Sequence, residues 1–392
     1  MAGNTPGRGP CRSGMERREI DMKALAVAAW SMTTPLGEDE ATLDALFEGR
    51  SGHSVQASPW ALRNSLAAVI PNRPDFAKPE RIWQRHLATD VARKALSRTA
   101  VDIRRDRKRC ACVFATSYGH LIDDAGDDTM STWARDCVRS LEWDLDPVVV
   151  GSGCSSGSDA LGVAAAMLDA GAVDVAVVVA ADIVTQAKRL AHSRLGTMTA
   201  EQHRPFDVAR SGMLLGEAAA AVVLMRSADC AEHAGELIGV GAANDAFGLT
   251  APDPSGLSVR FALERALLAA ELTYDDLALY YAHGTATPLN DALEAKVISE
   301  VFANRDDVTI VGTKGALGHS LGACGVIEFI LLLQMLNRRR APATVGLTDP
   351  IAEIAANFPA PGGRPLRSPY GASVTLGFGG FNTALIARGR PQ

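Results

Sequence analysis

Val148-Val149-Val150-Gly151-Ser152-Gly153-Cys154-Ser155-Ser156-Gly157-Ser158-Asp159-Ala160-Leu161 decides how this chain is read. A β-branched run stops at glycines, presents one cysteine, and passes at once into an alanine-rich segment that favours helix. Strand, tight turn and helix in that order describe an α/β unit with its turn residue at a helix N-terminus. Unpaired backbone N–H groups and the helix dipole favour negative charge there. The setting therefore predicts a Cys154 thiol of lowered pKa, available as a thiolate nucleophile near neutral pH. Taken alone, the same residues also describe a small buried side chain beside a helix cap.

Strands and helices alternate on both sides of this stretch. Upstream, residues 24–30 read as a buried strand, 38–47 as a short helix, 50–80 as surface loop, 82–96 as a helix and 110–115 as an apolar strand. Downstream, 158–170 is the helix behind the cysteine. Residues 174–181 form a hydrophobic run without alternation, the mark of a sheet covered on both faces. A long polar segment leads to Gly216-Glu217-Ala218 and a strand at 219–225. The pattern then begins again: strand 237–243, helix 257–270, strand 277–282, helix 292–302, strand 308–311, helix 322–336 and strands 373–376 and 383–387. Each half has a glycine turn opening an apolar helix (Gly157 onward, Gly318 onward), and each closes on glycine followed by an apolar strand. This repetition predicts a duplicated α/β fold with layered sheets. Residues 1–22 are expected as a disordered extension, 23–232 as the half carrying Cys154, and 233–392 as the second half.

The bulk properties narrow the function. The 392 residues are 47 % hydrophobic and 21 % charged, with a net charge of −6. That balance argues against nucleic-acid binding, which needs a basic face. Local basic runs at 104–109 and 338–340 offer docking patches or simply solvated surface. The acidic group Asp123, Asp124, Asp127 and Asp128 reads as polar surface. The seven cysteines form no Cys-x-x-Cys pair, which disfavours a disulfide framework or zinc site and points to a reducing cytoplasm. No apolar run approaches the ~18 residues of a membrane span. The Gly/Pro/Arg-rich first 22 residues also suit a transit peptide, with Met15 or Met22 as alternative starts.

Two further glycine-flanked turns hold histidines at element boundaries. His283-Gly284-Thr285-Ala286-Thr287-Pro288 sits where a strand ends, and Gly318-His319-Ser320-Leu321-Gly322 sits where a helix begins, shortly after Lys314. A neutral imidazole N–H in such a turn can hydrogen-bond a carbonyl or a developing enolate. His53, His192, His203 and His233 lie in polar sequence and are expected at the surface.

With these residues in view, the chain resembles a β-ketoacyl synthase, the Cys–His–His type of condensing enzyme with a thiolase-like fold found in fatty-acid and type II polyketide synthesis. Cys154-Ser155-Ser156-Gly157 resembles the family's cysteine turn. Arg204-Pro205-Phe206-Asp207 with Arg210, Gly212, Gly216 and Glu217 resembles the segment that follows. His283-Gly284-Thr285-Ala286-Thr287 with Asn290, Asp291 and Glu294 resembles the first histidine motif. Lys314, Gly318-His319, Gly322-Ala323 and Gly325 with Glu328 resemble the second, and Gly377-Phe378-Gly379-Gly380 with Asn382 resembles the terminal glycine loop. The resemblance implies two duplicated α/β halves in a layered αβαβα arrangement. It implies that Cys154 carries an acyl chain received from an acyl carrier protein, and that His283 and His319 stabilise the enolate of a decarboxylating malonyl-type extender. Backbone N–H groups of Cys154 and Phe378 would form the oxyanion hole, with Phe378 also gating access. Lys314 would position His319 with Glu328 as its partner, and Thr285 and Thr287 would support the site. No metal or cofactor is implied. The implied partners are the carrier protein, docked near Arg81, Arg85 or the 104–109 run, and a second ketosynthase subunit in a homodimer or heterodimer.

The sequence departs from the family in places. Ser152-Gly153 stands where Thr-Ala is usual, Ala286 replaces Gly or Ser, and Gly216-Glu217-Ala218-Ala219-Ala220 lacks the glycines usual after the glutamate. Gly248 stands where elongating relatives often carry histidine, and Val374 where they often carry asparagine. These departures hint at a specialised natural-product synthase. Three rival readings stand beside the main one. Gly153-Cys154-Ser155-Ser156-Gly157 also matches the G-x-S-x-G nucleophile elbow of a serine hydrolase using Ser155. A non-elongating partner resembling a chain-length factor would normally lack the cysteine. A biosynthetic thiolase would carry a second cysteine near the C-terminus, where Gly377-Phe378-Gly379 has none.

Overall fold

A computed structural model of the protein describes residues 23–71, 73, 80–103, 109–117, 129–303 and 305–390. The expected extension 1–22, residues 104–108 of the basic run and the acidic group at 123–128 lie outside the described residues. Among the described residues, ten strands run side by side across the main sheet, and the short strand Gly37–Glu38 pairs with the first of them. The ten are β1 (Leu25–Thr34), β2 (Cys110–Ala115), β3 (Val148–Val150), β4 (Val175–Asp182), β5 (Ala218–Arg226), β6 (Glu236–Asn244), β7 (Leu277–Tyr281), β8 (Thr309–Val311), β9 (Tyr370–Leu376) and β10 (Phe381–Arg388). Their spatial order is β8-β7-β9-β10-β6-β1-β5-β4-β2-β3.

That order contains the same topology twice. β1 runs antiparallel to β5, β5 antiparallel to β4, and β4, β2 and β3 are mutually parallel. In the second half β6 is antiparallel to β10, β10 antiparallel to β9, and β9, β7 and β8 are parallel. The halves meet at a short antiparallel pairing of Leu25 with Leu237 and Ala26 with Glu236.

Strand periodicity sorts the side chains into three cores. Val175, Val177, Val179 and Ala181 of β4 point outward onto helices α2 (Glu80–Leu96) and α3 (Met130–Ser140). Ala176, Val178 and Ala180 point inward onto helices α4 (Ser156–Asp169) and α9 (Cys324–Asn337), which also take Leu279, Tyr281 and Leu385 from the second half of the strand order, a sheet layer of its own beyond the Leu25–Leu237 junction. The outer face of that sheet, including Tyr280, Ile310, Val374 and Ile386, packs on α6 (Leu257–Ala269) and α7 (Pro288–Val301). The result is the expected αβαβα stack. α9 occupies its middle layer and is buried from Cys324 to Leu336 on every side, as a helix between two sheets must be. β4 is buried at every residue, which explains its unbroken hydrophobic run.

The N-termini of α4 and α9 touch. A Cβ on Gly157 would lie 2.9 Å from the Val326 nitrogen, and one on Gly325 would lie 2.4 Å from the Ser158 nitrogen. Only glycine permits this approach, and it brings the cysteine turn against the second histidine turn.

Elements depart from expectation in the loops. Residues 50–80 contain a two-stranded pair, His53–Val55 with Leu66–Ala68, and bury Ala67, Ala68 and Ile70. The polar segment after β4 holds a helix, α5 (Gln186–Arg194). Both were missed because their apolar contacts are made with distant segments and leave little periodicity of their own. Among the described residues, no helix is long and apolar enough to cross a membrane.

Candidate active site

Cys154 lies on a single 3-10 turn (Gly153–Ser155) that runs directly into α4. His283 follows the end of β7. His319 follows the four-residue helix α8 (Lys314–Leu317), and a matching 3-10 turn (Leu321–Ala323) leads from it into α9. Cys154, His283, His319 and Phe378 line one cavity of about 280 Å³, together with Thr285, Thr287 and Gly248. The fold thus gathers the cysteine, both histidines and the glycine loop, 224 residues apart in sequence, around a single space.

Each histidine-bearing turn is braced by a buried carboxylate from another element. The N–H groups of His283 and Gly284 donate to the two oxygens of Glu294 on α7, at 2.7 and 2.9 Å. Asp291, one turn earlier, accepts from the Ala286 and Phe206 N–H groups. Burial pushes Asp291 up to about 6 and Glu294 up to about 7, against the pull of those N–H donors. Ala286 adopts φ of 62°, the left-handed region that glycine favours, so its bond to Asp291 holds a strained backbone in place. The His319 N–H donates to the Leu214 carbonyl at 2.8 Å, which ties this turn to the strand-like segment before Glu217. Asp182 at the end of β4 accepts from Gly322 and Ser117 N–H groups at 2.8 Å and is ion-paired with buried Lys188.

The hydrogen bonds assign the tautomers of both rings. The Lys314 ammonium can only donate, and it lies 3.4 Å from His283 Nδ1. The Leu321 N–H donates to His319 Nδ1 at 3.3 Å. Both rings therefore carry their proton on Nε2, and His319 Nε2 is buried with no partner among the described residues. Burial first, and the Lys314 charge second, hold both histidines well below their ordinary pKa, so both are neutral donors near pH 7. The rings meet edge to face with centroids 5.2 Å apart.

Lys314 corrects one expectation. It hydrogen-bonds the Nδ1 and carbonyl of His283 and forms a buried ion pair with Glu328, and reaches His319 through its charge alone. α8 starts at Lys314 directly beyond β8, the neighbour of β7, so the side chain meets the end of β7 first. Burial works against the Lys314 charge, but Glu328 and Cys324 outweigh it and keep the pKa above the ordinary lysine value. A ring nitrogen of His283, Cys324 Sγ and a Glu328 oxygen lie within 4.8 Å of one another, a grouping that could hold a metal ion. The Lys314 ammonium already supplies the positive charge at that point.

Cys154 corrects another. Burial pushes its thiol up to about 11, although the Phe378 N–H donates to the sulfur and Lys314 adds a favourable charge. The helix N-terminus is present as expected, and desolvation of the buried thiolate acts on the same group in the opposite direction. Phe378 itself is partly exposed beside the cavity, with its ring 6.3 Å from that of His192.

Ser155, the rival nucleophile, is fully buried, donates to Asp159 at 2.8 Å and does not line the cavity. Ser152, unusual for its position, donates to the same carboxylate. His203 was expected at the surface and is buried: Nε2 donates to the Thr285 carbonyl at 2.9 Å and Nδ1 accepts from Leu214 N–H. It thus bridges the two histidine turns. His192 and His53 are half-buried. Thr285 and Thr287 hydrogen-bond each other at 2.9 Å on the cavity wall. Asp159, Asp182 and His203 carried no sequence signal beyond lying near glycine turns, because their partners come from remote segments.

The chain resembles known proteins in sequence and in fold. Residues 140–230 match the β-ketoacyl synthase N-terminal domain and 234–348 the C-terminal domain, together just over half of the chain. The chain is 32 % identical over 247 residues to a 3-oxoacyl-[acyl-carrier-protein] synthase 2 from Mycobacterium leprae, covering 60 % of this chain and 58 % of that protein. It is 30 % identical over 253 residues to the mitochondrial 3-oxoacyl-[acyl-carrier-protein] synthase of Arabidopsis thaliana, covering 59 % and 54 %. The matched segments thus span somewhat over half the length of these relatives. A β-ketoacyl synthase from Burkholderia phymatum superimposes with a TM-score of 0.81 at 25 % identity, over 94 % of this chain and all of that one. The ishigamide ketosynthase/chain length factor shares the fold with a TM-score of 0.85 at 22 % identity, over 94 % of this chain and all of that one.

Proposed function

Because the chain belongs to the β-ketoacyl synthase family, we propose that it is a carbon–carbon bond-forming acyltransferase acting on acyl carrier protein thioesters. The observation that carries this reading is the pair of neutral Nε2–H donors facing the same cavity as a cysteine whose sulfur receives the Phe378 N–H.

The Cys154 sulfur attacks the carbonyl of a carrier-bound acyl thioester. The proton of the thiol leaves with the departing carrier thiol, and the acyl chain remains on Cys154. The oxyanion of the tetrahedral intermediate lies between the N–H groups of Cys154 and Phe378. A malonyl-type thioester then places its carbonyl oxygen at the Nε2–H groups of His283 and His319. Its carboxylate leaves as CO₂, and the electron pair moves onto the hydrogen-bonded oxygen as an enolate. The enolate carbon attacks the Cys154 thioester, the sulfur departs, and a β-ketoacyl product remains on the carrier. Neutral histidines suit this step, because the charge that develops is negative and the donors need no deprotonation. Thr285 and Thr287 line the approach, and Lys314 with Glu328 positions His283.

The same reading takes an acyl carrier protein as substrate carrier, a second ketosynthase-type subunit as dimer partner, the cytoplasm as location, and no cofactor. Intact mass spectrometry of the protein after incubation with a panel of acyl-carrier thioesters tests it. A single acyl adduct, lost in Cys154→Ala and retained in Ser155→Ala, is expected. Loss in Ser155→Ala alone would establish the hydrolase reading. A protein that never acquires an adduct would instead be the non-elongating partner subunit.

A further inference from the structure

The oxyanion site is built from two segments far apart in sequence: the turn carrying Cys154 and the glycine loop carrying Phe378. The Phe378 N–H reaches the Cys154 sulfur, and Ser158 Oγ and Thr375 Oγ1 hydrogen-bond at 2.8 Å just ahead of the loop, but neither link holds the residues that flank the cysteine. Gly377 lies against the cysteine turn so closely that a Cβ there would be 3.2 Å from Ser155 Oγ and 3.3 Å from Ser155 N. That contact is only van der Waals. The loop closes on itself through the Gly377 N–H bond to the Phe381 carbonyl at 2.6 Å, and passes into β10.

Asp159 spans the gap. It stands in the first turn of α4. Oδ2 accepts from Ser152 Oγ on the segment before Cys154 and from Ser155 Oγ, the residue after it. Oδ1 accepts from Thr383 Oγ1 on β10, two residues beyond Phe381. One carboxylate therefore takes three hydroxyl donors, two flanking the cysteine and one at the root of the glycine loop. Hydrogen bonds to an ionised carboxylate are short and strong, and bonds from two directions fix the distance between their donors. Asp159 touches neither the cavity nor the histidine turns.

We propose that Asp159, through Thr383, is a positioning residue that sets the separation of the Cys154 and Phe378 N–H groups. It thereby governs acyl transfer to the cysteine rather than malonyl decarboxylation. The proposal rests on the ketosynthase reading of the site.

The test uses Thr383→Val, which removes one hydroxyl and keeps the side-chain shape, with Asp159→Asn as companion. Three rates are measured on each folded protein: formation of the Cys154 acyl adduct, decarboxylation of a malonyl-carrier thioester, and alkylation of Cys154 by iodoacetamide. Loss of a well-placed oxyanion donor costs about 10²–10³-fold, so partial displacement should slow acyl transfer about 10- to 100-fold. Decarboxylation should stay within about threefold of the parent, since its donors are the two histidines. Alkylation needs no oxyanion hole and should stay within about threefold of the parent, since it feels only the weakened Phe378 N–H bond to the sulfur. Thr383→Ser, which restores the hydroxyl, should recover acyl transfer. Equal loss of all three rates, or no loss in either variant, would overturn the proposal. Should the unaltered protein show neither adduct nor decarboxylation, the ketosynthase reading itself would fall.

Discussion

Replacing Lys314 by methionine separates what this residue does for stability from what it does for the site. Lys314 and Glu328 are each 2 % exposed and paired only with the interior. Removing one member of such a pair leaves a buried charge uncompensated, at a cost of roughly 3–5 kcal/mol. For a chain of 392 residues, the unfolding entropy is on the order of 0.8 kcal/mol/K. The expected fall in Tm of Lys314→Met is therefore about 4–6 °C. Glu328 is already raised by burial despite Lys314, and losing that cation raises it further. A carboxyl whose folded pKa is raised contributes stability that is intact below about 4.5 and lost as pH rises through the folded value. The deficit of the variant should accordingly widen from pH 5 to pH 8. Adding Glu328→Leu removes the orphan charge and should return the Tm to within about 2 °C of the parent, as hydrophobic replacement of buried pairs commonly does. Decarboxylation should behave differently. Both variants lose the donor that fixes the His283 tautomer, and a fall of roughly 10- to 100-fold is expected in each, the usual range for a residue that orients a functional histidine. Differential scanning calorimetry and a CO₂-release assay supply the two measurements. The reasoning fails if Lys314→Met melts with the parent, or if the double variant regains decarboxylation along with stability.

The thiol, the second histidine and the helix junction give three more expectations. With Cys154 pushed up to about 11, its alkylation by iodoacetamide should accelerate about tenfold per pH unit between pH 7 and pH 10; a rate that levels off below pH 8 would restore the lowered thiol. His319→Gln places an amide N–H near the position of Nε2, whereas His319→Asn places one near Nδ1, so decarboxylation should survive better in the glutamine variant. The reverse order would mean the ring proton sits on Nδ1. Gly325→Ala would push a methyl to 2.4 Å from the Ser158 nitrogen and 2.2 Å from Ser158 Oγ, so it should lower the Tm by more than 5 °C or prevent soluble expression. A variant melting within 1 °C of the parent would show that the two helix ends can separate freely.

Much of the architecture was legible before any coordinates, because it is written in local patterns. The unbroken valine and alanine run of β4 announces a strand covered on both faces, and the glycine turns ahead of α4 and α9 announce a repeat. The segments 50–80 and 182–215 were less readable. Ala67, Ile70 and His203 are buried against partners more than a hundred residues away or in unrelated loops, and nothing in their own neighbourhood records that.

By itself the sequence determined the type and order of elements, the duplication, and the identity of the groups facing the cavity: Cys154, His283, His319 and Phe378 stand at turn positions that helix and strand periodicity locate. Periodicity and turn chemistry are short-range, so one chain suffices to read them. Protonation and partnership were decided by the tertiary structure. A helix N-terminus alone lowers a thiol, but burial raises Cys154, since desolvation depends on every segment that excludes water. Likewise Lys314 serves His283 rather than His319, and Asp159 joins the cysteine turn to β10, because α8 follows the strand beside β7 and α4 begins beside β10. Those adjacencies exist only once the two halves have packed.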